Sequence, residues 1–193
     1  MAEPATLLPP PPSSPVRLVT ARPRGSIPPA FGTPTAVERV SLVELAKISD
    51  KRGDLVVAEL DRHVPFLVER MYALLNVPEG EERGGHAHKE LEQLLVVLSG
   101  SLELTVDDGE SRQRYALDSN TWGIYIRPMV WRELHAFAPN TVCVVLASAV
   151  YDESDYLRDY DAFKDELAAR GLGPTAKPSH IRAVRSTYPA AAR

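Results

Sequence analysis

The sequence has a single cysteine, no long hydrophobic run and no excess of positive charge. Cys143 is the only cysteine among 193 residues, which excludes a disulfide within the chain and favours a reducing compartment. The net charge of -4 gives no electrostatic basis for nucleic acid as the main partner. No apolar stretch approaches the length of a membrane span or a signal peptide, so we expect a cytoplasmic protein without membrane contact.

Proline is concentrated at one end of the chain. Residues 1–36 contain most of the 17 prolines, including the run from Pro9 to Pro12, and show no periodic apolar pattern. Such a segment cannot bury enough apolar surface to fold, so we expect a disordered tail there. Residues 174–193 are similarly irregular and form a second expected tail. One domain of residues 37–173 is predicted between them.

Short segments rich in branched residues dominate the predicted domain and are typical of strands. Turn signals at Ser99-Gly100 and Asp107-Asp108-Gly109 separate some of them, and the second is predicted as a hairpin tip. Regularly spaced strands with hairpins predict an all-β antiparallel barrel or sandwich. The predicted strands are residues 55–60, 66–72, 93–98, 101–106, 122–127 and 141–147.

One helix is predicted late in the chain, on the outside or at one end of the barrel. Asp152 or Ser154 would cap its first turn, and Gly171 would end it. The evidence is helical spacing of apolar and aromatic residues, namely Tyr156, Leu157, Tyr160, Phe163 and Leu167.

Two histidines separated by one residue, His86 and His88, carry the strongest functional signal. Alternate side chains of an extended strand share a face, so both imidazoles would point the same way. Such a pair is either a metal site or an acid–base pair.

The residues around this pair are spaced as in the first motif of cupin barrels. Gly80, His86, His88, position 93 and Gly100 follow that spacing, and metal-binding cupins carry glutamate where this chain has Gln93. A neutral amide is a much poorer ligand for a dication than a carboxylate. The pattern therefore favours metal-free catalytic histidines over a metal site, and we expect no cofactor.

Longer segments resemble the sugar 3,4-ketoisomerases that act on dTDP-4-keto-6-deoxyglucose. The resemblance runs in one order from about residue 40 to residue 163. It implies a small cupin-type antiparallel β-barrel, or jelly roll, that works without a metal as a homodimer with exchanged N-terminal strands. The segments that carry it are residues 66–72, 83–89, 93–96, 107–109, 123–131 and 151–160.

The resemblance also implies a reaction and residues that perform it. The expected reaction converts dTDP-4-keto-6-deoxyglucose to a 3-keto sugar for deoxyamino-sugar synthesis. By position, His86 matches the family's catalytic base, His88 its second histidine and Tyr72 its active-site tyrosine. Arg70 and Arg83 match basic residues that contact the nucleotide or the sugar. Arg127 and Gly85 depart from the family pattern, which has a small residue and a bulkier one there.

The chemistry of these residues fits such a reaction independently. A neutral imidazole can move a hydrogen beside a ketone, and hydrogen-bond donors must stabilise the enediol that forms. Tyr72, His88 and Gln93 are candidate donors. Trp131 is equally a candidate platform for the thymine ring and a core residue.

Three other functions fit parts of the pattern. A cupin-type 3,5-epimerase would start with the same proton removal but keep the ketone at C4. A non-catalytic cupin would bind a nucleotide sugar without turnover. A metal-dependent dioxygenase is disfavoured by Gln93, and His135 lies near the second cupin motif's histidine but out of register.

Overall fold

The computed structural model describes residues 33–35, 37 and 39–172. Most of the expected N-terminal tail and the whole of the expected tail at 174–193 lie outside these residues. Within the N-terminal segment, Thr33–Pro34 forms a short strand against Val40–Glu44, so strand pairing begins before residue 37.

The described residues form thirteen strands and one α-helix. The helix, α1, spans Tyr160–Ala169, and a 3-10 turn spans Glu153–Asp155. In chain order the strands are β1 (Thr33–Pro34), β2 (Val40–Glu44), β3 (Ala46–Asp50), β4 (Gly53–Val57), β5 (Arg70–Leu75), β6 (Arg83–His88), β7 (Gln93–Ser99), β8 (Leu102–Asp107), β9 (Arg112–Leu117), β10 (Trp122–Ile126), β11 (Trp131–His135), β12 (Val142–Ala147) and β13 (Tyr156–Leu157).

Two antiparallel sheets face each other and enclose the main core. One sheet has the strand order β1-β2-β10-β7-β12-β5, and the other has the order β13-β6-β11-β8-β9. Alternation along the strands sends Leu102, Leu104 and Val106 of β8 inward, where they meet Cys143 and Val145 of β12. The predicted all-β, cupin-type antiparallel fold with one C-terminal helix is confirmed.

The turn at residues 107–109 joins β8 to β9 as the predicted hairpin. The turn at Gly100 instead carries the chain from one sheet to the other. A side chain at Gly100 would place Cβ 2.5 Å from Thr141 Oγ1, and its φ of +74° also favours glycine.

The late helix begins later than the sequence pattern predicts. Asp152 does accept a hydrogen bond from the Ser154 backbone amide, but it caps only the 3-10 turn. Tyr156 and Leu157 are extended and pair with β6, and Asp159 caps α1 through the Ala162 amide. The helix lies on the outer face of the five-stranded sheet, as expected. No helix in the described part of the chain is long and apolar enough to cross a membrane.

Strand prediction succeeded where the segment is a run of branched apolar residues and was poorer elsewhere. The strand predicted at 66–72 begins only at Arg70. The strand predicted at 55–60 corresponds to β4, which begins at Gly53 and ends at Val57. Seven strands were missed, namely β1, β2, β3, β6, β9, β11 and β13. β6 is rich in polar residues and glycine, β9 is rich in polar residues, and β1 and β13 have only two residues each.

Candidate active site

The two histidines of β6 lie on its inner face, toward the other sheet. The rings of His86 and His88 are 4.9 Å apart between centroids and nearly perpendicular. Ala87, between them, faces outward into the cluster under α1. The strand alternation therefore brings both imidazoles to one site.

A pair of glycines shapes the start of β6. Gly84 has a φ of +85°, and a Cβ there would lie 2.6 Å from the carbonyl oxygen of Arg132. The pairing register of β6 with β11 shifts between Arg132 and Glu133 at this point, as in a β-bulge. Glycine thus permits the close approach of β11 that sets Arg132 directly opposite His86.

Each histidine is held through Nδ1 by an oxygen acceptor. His86 Nδ1 lies 2.9 Å from the Gly84 carbonyl oxygen, and His88 Nδ1 lies 2.9 Å from Asp155 Oδ2. Because these oxygens only accept, Nδ1 carries the proton in both neutral rings. The Nε2 atoms are left with lone pairs. His88 Nε2 is buried and has no hydrogen-bond partner among the described residues.

Residues 152–158, here called the strap, lie beside β6 at the edge of the five-stranded sheet, where β13 pairs with β6. Asp155 accepts a hydrogen bond from the Glu90 amide at 2.7 Å as well as from His88. The ring of Tyr156 packs 4.9 Å from His86 and 4.3 Å from His88. The Arg158 guanidinium lies 4.4 Å from the centre of the Tyr156 ring. The strap therefore completes the site with residues far away in the sequence.

Tyr72 and Gln93 face the site from the six-stranded sheet. Gln93 Nε2 donates to the Tyr72 hydroxyl at 2.9 Å, and Gln93 is only 3% exposed. With its oxygen accepting from Gln93, Tyr72 keeps its own O–H to donate to a ligand. The Arg70 guanidinium lies 5.4 Å from the Tyr72 ring centre and 5.7 Å from that of Tyr151.

Arg132 is a site residue that the sequence reasoning missed. Its side chain is 2% exposed, and all three guanidinium nitrogens are without a hydrogen-bond partner among the described residues. A buried, unpaired cation is costly, so it is usually kept for a function. Strand parity places Arg132 on the face opposite to Trp131, but only the pairing register shows which of the two faces turns toward the histidines.

The electrostatics of the site keep both histidines neutral. Burial, then the positive charge of Arg132 and the proximity of His88, lowers the pKa of His86 to about 3. Burial lowers the pKa of His88 to about 4, although its hydrogen bond to Asp155 opposes this. Burial also lowers the pKa of Arg132 to about 10, so its charge persists at neutral pH. Burial raises the pKa of Tyr72, which favours its protonated, donating form.

Three candidates from the sequence do not join the buried cluster around the histidines. Trp131 packs under α1 against Tyr160 and Phe163, on the face of β11 opposite to Arg132, so the structure does not bring it to the histidines. Arg83 is exposed at the beginning of β6. His135 Nε2 lies 3.1 Å from Thr105 Oγ1, at the far end of β11.

No group of three or more His, Cys, Asp or Glu side chains in residues 33–35, 37 and 39–172 is arranged to hold a metal ion. Gln93, at the position where metal-binding cupins have glutamate, is engaged with Tyr72. The residues present therefore suit proton transfer better than metal coordination.

Known sugar 3,4-ketoisomerases are similar to this chain in sequence and in structure. A TDP-4-oxo-6-deoxy-alpha-D-glucose-3,4-oxoisomerase from Aneurinibacillus thermoaerophilus is 46% identical over 131 residues, which cover 68% of this chain and 94% of the relative. A variant of the QdtA 3,4-ketoisomerase from Thermoanaerobacterium thermosaccharolyticum, solved with TDP-4-keto-6-deoxyglucose, has a TM-score of 0.67 and 37% identity over 69% of this chain and 97% of its own.

A more distant likeness concerns the fold alone. The Mycobacterium tuberculosis rmlC epimerase has a TM-score of 0.59 and 19% identity, over 76% of this chain and 94% of its own. The family model described as "FdtA: WxcM-like, C-terminal" matches residues 38–168, which contain every site residue above. The chain belongs to this FdtA family of WxcM-like, C-terminal domains.

Proposed function

We propose that the protein isomerises dTDP-4-keto-6-deoxy-D-glucose to a dTDP-3-keto-6-deoxyhexose in the cytoplasm, for deoxyamino-sugar synthesis. The observation that carries this proposal is a pair of neutral histidines, of which His86 lies opposite a buried, unpaired cation in the pairing of β6 with β11. The names of the relatives support the substrate, since one acts on the TDP-4-oxo sugar and another was solved with it.

His86 is the proposed base for the carbon-bound hydrogen. A hydrogen beside a ketone is acidic because its removal gives an enolate. Neutral His86 Nε2 would take it from C3 and, as an imidazolium, deliver it to C4. The low pKa of His86, about 3, makes this imidazolium a strong acid that returns its proton readily. One base on one face of the sugar thus serves both carbons.

Arg132 and Tyr72 are the proposed groups that stabilise the enediolate. Negative charge develops on a sugar oxygen when the C3 hydrogen leaves. The buried Arg132 guanidinium, with three unpartnered nitrogens, and the Tyr72 O–H would both stabilise that charge. Neither group would have to reorient when the charge forms. Gln93 fixes Tyr72 for this role. The cost of burying Arg132 is thereby offset when the charged intermediate forms.

Arg70 and Arg83 are proposed to bind the diphosphate at the mouth of the site. Arg70 is half-buried beside Tyr72, and Arg83 is exposed three residues before His86. A guanidinium suits phosphate oxygens because its N–H groups form a planar fork. This arrangement directs the sugar inward and the nucleotide outward.

We also propose a homodimer that exchanges N-terminal strands. The β3–β4 hairpin belongs to neither large sheet, and its opposed residues Ile48 and Leu55 are 57% and 58% exposed. β5 is an edge strand of the six-stranded sheet, and its Met71 is 63% exposed. An apolar hairpin and an open edge are complementary surfaces. Light scattering of the wild type and of Ile48→Lys tests this state, and a monomeric wild type contradicts it.

Proton NMR of the reaction with dTDP-4-keto-6-deoxyglucose in deuterated water tests the function. The expected product carries a ketone at C3, and it carries deuterium at C4 to the extent that the proton on His86 exchanges with solvent before it is delivered. An epimerase would instead exchange C3 and C5 and keep the ketone at C4. Binding without any exchange would indicate a non-catalytic binding protein.

The same assay separates the two histidines. His86→Asn is expected to abolish both product and C3 exchange, because general-base loss costs about 100- to 10,000-fold. His88→Asn is expected to retain exchange at C3 while slowing product formation. Normal exchange in His86→Asn with none in His88→Asn would reverse the two roles. Circular dichroism of both variants controls for folding.

A further inference from the structure

The turn between β6 and β7, residues 89–92, contacts the strap on one side and the end of α1 on the other. Toward the strap, the Lys89 amide donates to the Asp155 carbonyl oxygen at 2.9 Å. The Lys89 ammonium group donates to the Ser154 carbonyl oxygen, also at 2.9 Å. Toward α1, Arg170 Nη1 donates to the Lys89 carbonyl oxygen at 3.0 Å, although the two residues are 81 positions apart in the sequence. The turn therefore links the end of the helix to the strap.

A single peptide group in this turn contacts both Arg170 and Asp155. The group joins Lys89 to Glu90. Its carbonyl oxygen accepts from Arg170, and its N–H donates to Asp155 Oδ1 at 2.7 Å. A cation that donates to a peptide oxygen polarises the group, which makes its N–H a stronger donor. Arg170 therefore strengthens the hydrogen bond that orients the Asp155 carboxylate, whose Oδ2 faces His88 Nδ1.

We infer that Arg170 is a positioning residue, which acts through the Lys89–Glu90 peptide group to hold the Asp155 carboxylate in place. This inference rests on the proposed isomerase function and adds a residue on the outer side of the five-stranded sheet. The two Lys89 contacts to the strap do not depend on Arg170, so the strap should stay attached when Arg170 is replaced. What should change is how firmly the carboxylate, and with it the His88 ring, is oriented.

An arginine at the end of a helix has a simpler explanation, but it does not account for every contact. Arg170 Nε pairs with Glu166 Oε1 at 2.7 Å, one turn earlier, and a cation at a helix C-terminus complements the helix dipole. Ion pairs of this kind at the surface contribute little to stability. Neither role requires Arg170 to reach another segment, yet Nη1 contacts the Lys89 carbonyl oxygen and, at 2.9 Å, Glu90 Oε1.

The backbone around Arg170 is fixed by the way in which α1 ends. The Leu172 amide donates to the Leu167 carbonyl oxygen at 2.8 Å, and the Gly171 amide donates to that of Ala168 at 3.0 Å. With a φ of +65° at Gly171, this pattern is the Schellman motif. Leu167 and Leu172 pack in the cluster under α1. The side chain of Arg170 therefore extends to the turn from a well-anchored helix end.

The test compares the full-length wild type with Arg170→Met, Arg170→Lys and Lys164→Met. Methionine keeps the apolar stem but removes every donor, so in nitrogen-15 NMR spectra the amide proton of Glu90 should shift upfield and exchange faster with solvent. The turnover number should fall about 10-fold with KM unchanged, since a displacement remote from the chemistry can cost up to ~100-fold. Lysine keeps a charged donor, so its turnover number and amide signal should lie between those of the wild type and Arg170→Met.

Lys164→Met is the matched control, because it removes one positive charge from the same helix. Lys164 pairs with Asp161 at 2.7 Å, and both side chains are more than half-exposed. Its turnover number and Glu90 amide signal should match those of the wild type. Circular dichroism confirms folding of each variant. If Arg170→Met does not fold, Arg170→Gln takes its place, because glutamine is uncharged and too short to reach the Lys89 carbonyl oxygen.

Three results would overturn the inference. A wild-type turnover number in Arg170→Met would show that the contact has no role in the reaction. An equal loss in Lys164→Met would show that any loosening of α1 is sufficient. A raised KM with an unchanged turnover number would show that Arg170 acts on substrate binding. Absence of product from the wild type would instead reject the proposed function, while the Glu90 amide signal, measured without substrate, would still report whether Arg170 polarises this peptide group.

Discussion

Arg132 lies directly opposite His86 in the pairing of β11 with β6, so a buried guanidinium and an imidazole are neighbours on one inner face. Together with burial, this charge holds the pKa of His86 near 3, which keeps the imidazole able to accept a proton. The same charge attracts an anion formed beside it. One residue therefore favours both the neutral base and the charged intermediate.

Arg132→Met should lower the turnover number by about 100- to 1,000-fold, because it removes the charge that meets the enediolate. The same change should raise the melting temperature, since an unpaired buried cation is replaced by an apolar side chain of similar length. Steady-state kinetics and thermal unfolding measure the two effects. Arg112→Met is a suitable control, since Arg112 is half-exposed and pairs with Glu133 outside the site. Retained turnover in Arg132→Met would remove Arg132 from the mechanism.

The activity should be nearly independent of pH across the range in which an ordinary histidine titrates. The pKa values of His86 and His88 are lowered from 6.5 to about 3 and about 4, so both bases remain unprotonated well below neutrality. As pH falls, kcat/KM should decline only toward pH 4, by protonation of the bases. In Arg132→Met the decline should begin at a higher pH, because loss of the cation raises the pKa of both histidines. Circular dichroism at each pH excludes unfolding, and a decline centred near 6.5 in the wild type would contradict the prediction.

Tyr72→Phe and Arg83→Ala should change different kinetic parameters. Tyr72 donates to the developing oxyanion, so its loss should lower kcat with little change in KM. Arg83 is exposed and contacts the diphosphate in our proposal, so its loss should mainly raise KM. Initial-rate kinetics over a range of substrate concentrations separate the two. If both changes affect KM alone, Tyr72 is a binding residue.

Chelation should leave the activity intact. Gln93 replaces the carboxylate ligand of metal-binding cupins and donates to Tyr72. We expect turnover to survive prolonged treatment with EDTA, and elemental analysis of the purified protein to find no stoichiometric metal. Loss of turnover that one particular dication restores would show that the mechanism needs a metal.

Trp131→Leu should destabilise the protein without altering substrate affinity. Trp131 is 6% exposed, packs on Tyr160 and Phe163 of α1, and donates to Glu133 at 2.9 Å. Truncating a buried tryptophan usually costs about 3–5 kcal/mol when it becomes alanine, and leucine should cost less. Chemical denaturation should detect this loss while KM stays unchanged. A raised KM in a folded variant would restore Trp131 as a thymine platform.

The fold was largely predictable because short runs of branched apolar residues, bounded by turns, are a local signal of strands. β7, β8, β10 and β12 were found within one or two residues. The helix prediction was wrong at its start, because Tyr156 and Leu157 satisfy helical spacing but pair with β6 instead. Long-range pairing overrides local spacing in such short segments.

The site was predictable only in part. His86 and His88 are indicated by their own spacing, Gln93 by its place in the cupin motif, and Tyr72 by family resemblance. Asp155 contacts His88 although the two are 67 positions apart in the sequence, so no local sequence pattern indicates this contact. Arg132 depends on which face of β11 turns inward, and the pairing register decides this.

The order of the strap in the chain also determines when a newly made molecule becomes competent. Synthesis proceeds from the N-terminus, so β6, β11 and β12 emerge from the ribosome before residues 152–158. The sheets can pair while His88 still lacks its carboxylate partner. The candidate site is therefore complete only once residues 152–158 have been synthesised and β13 has paired with β6.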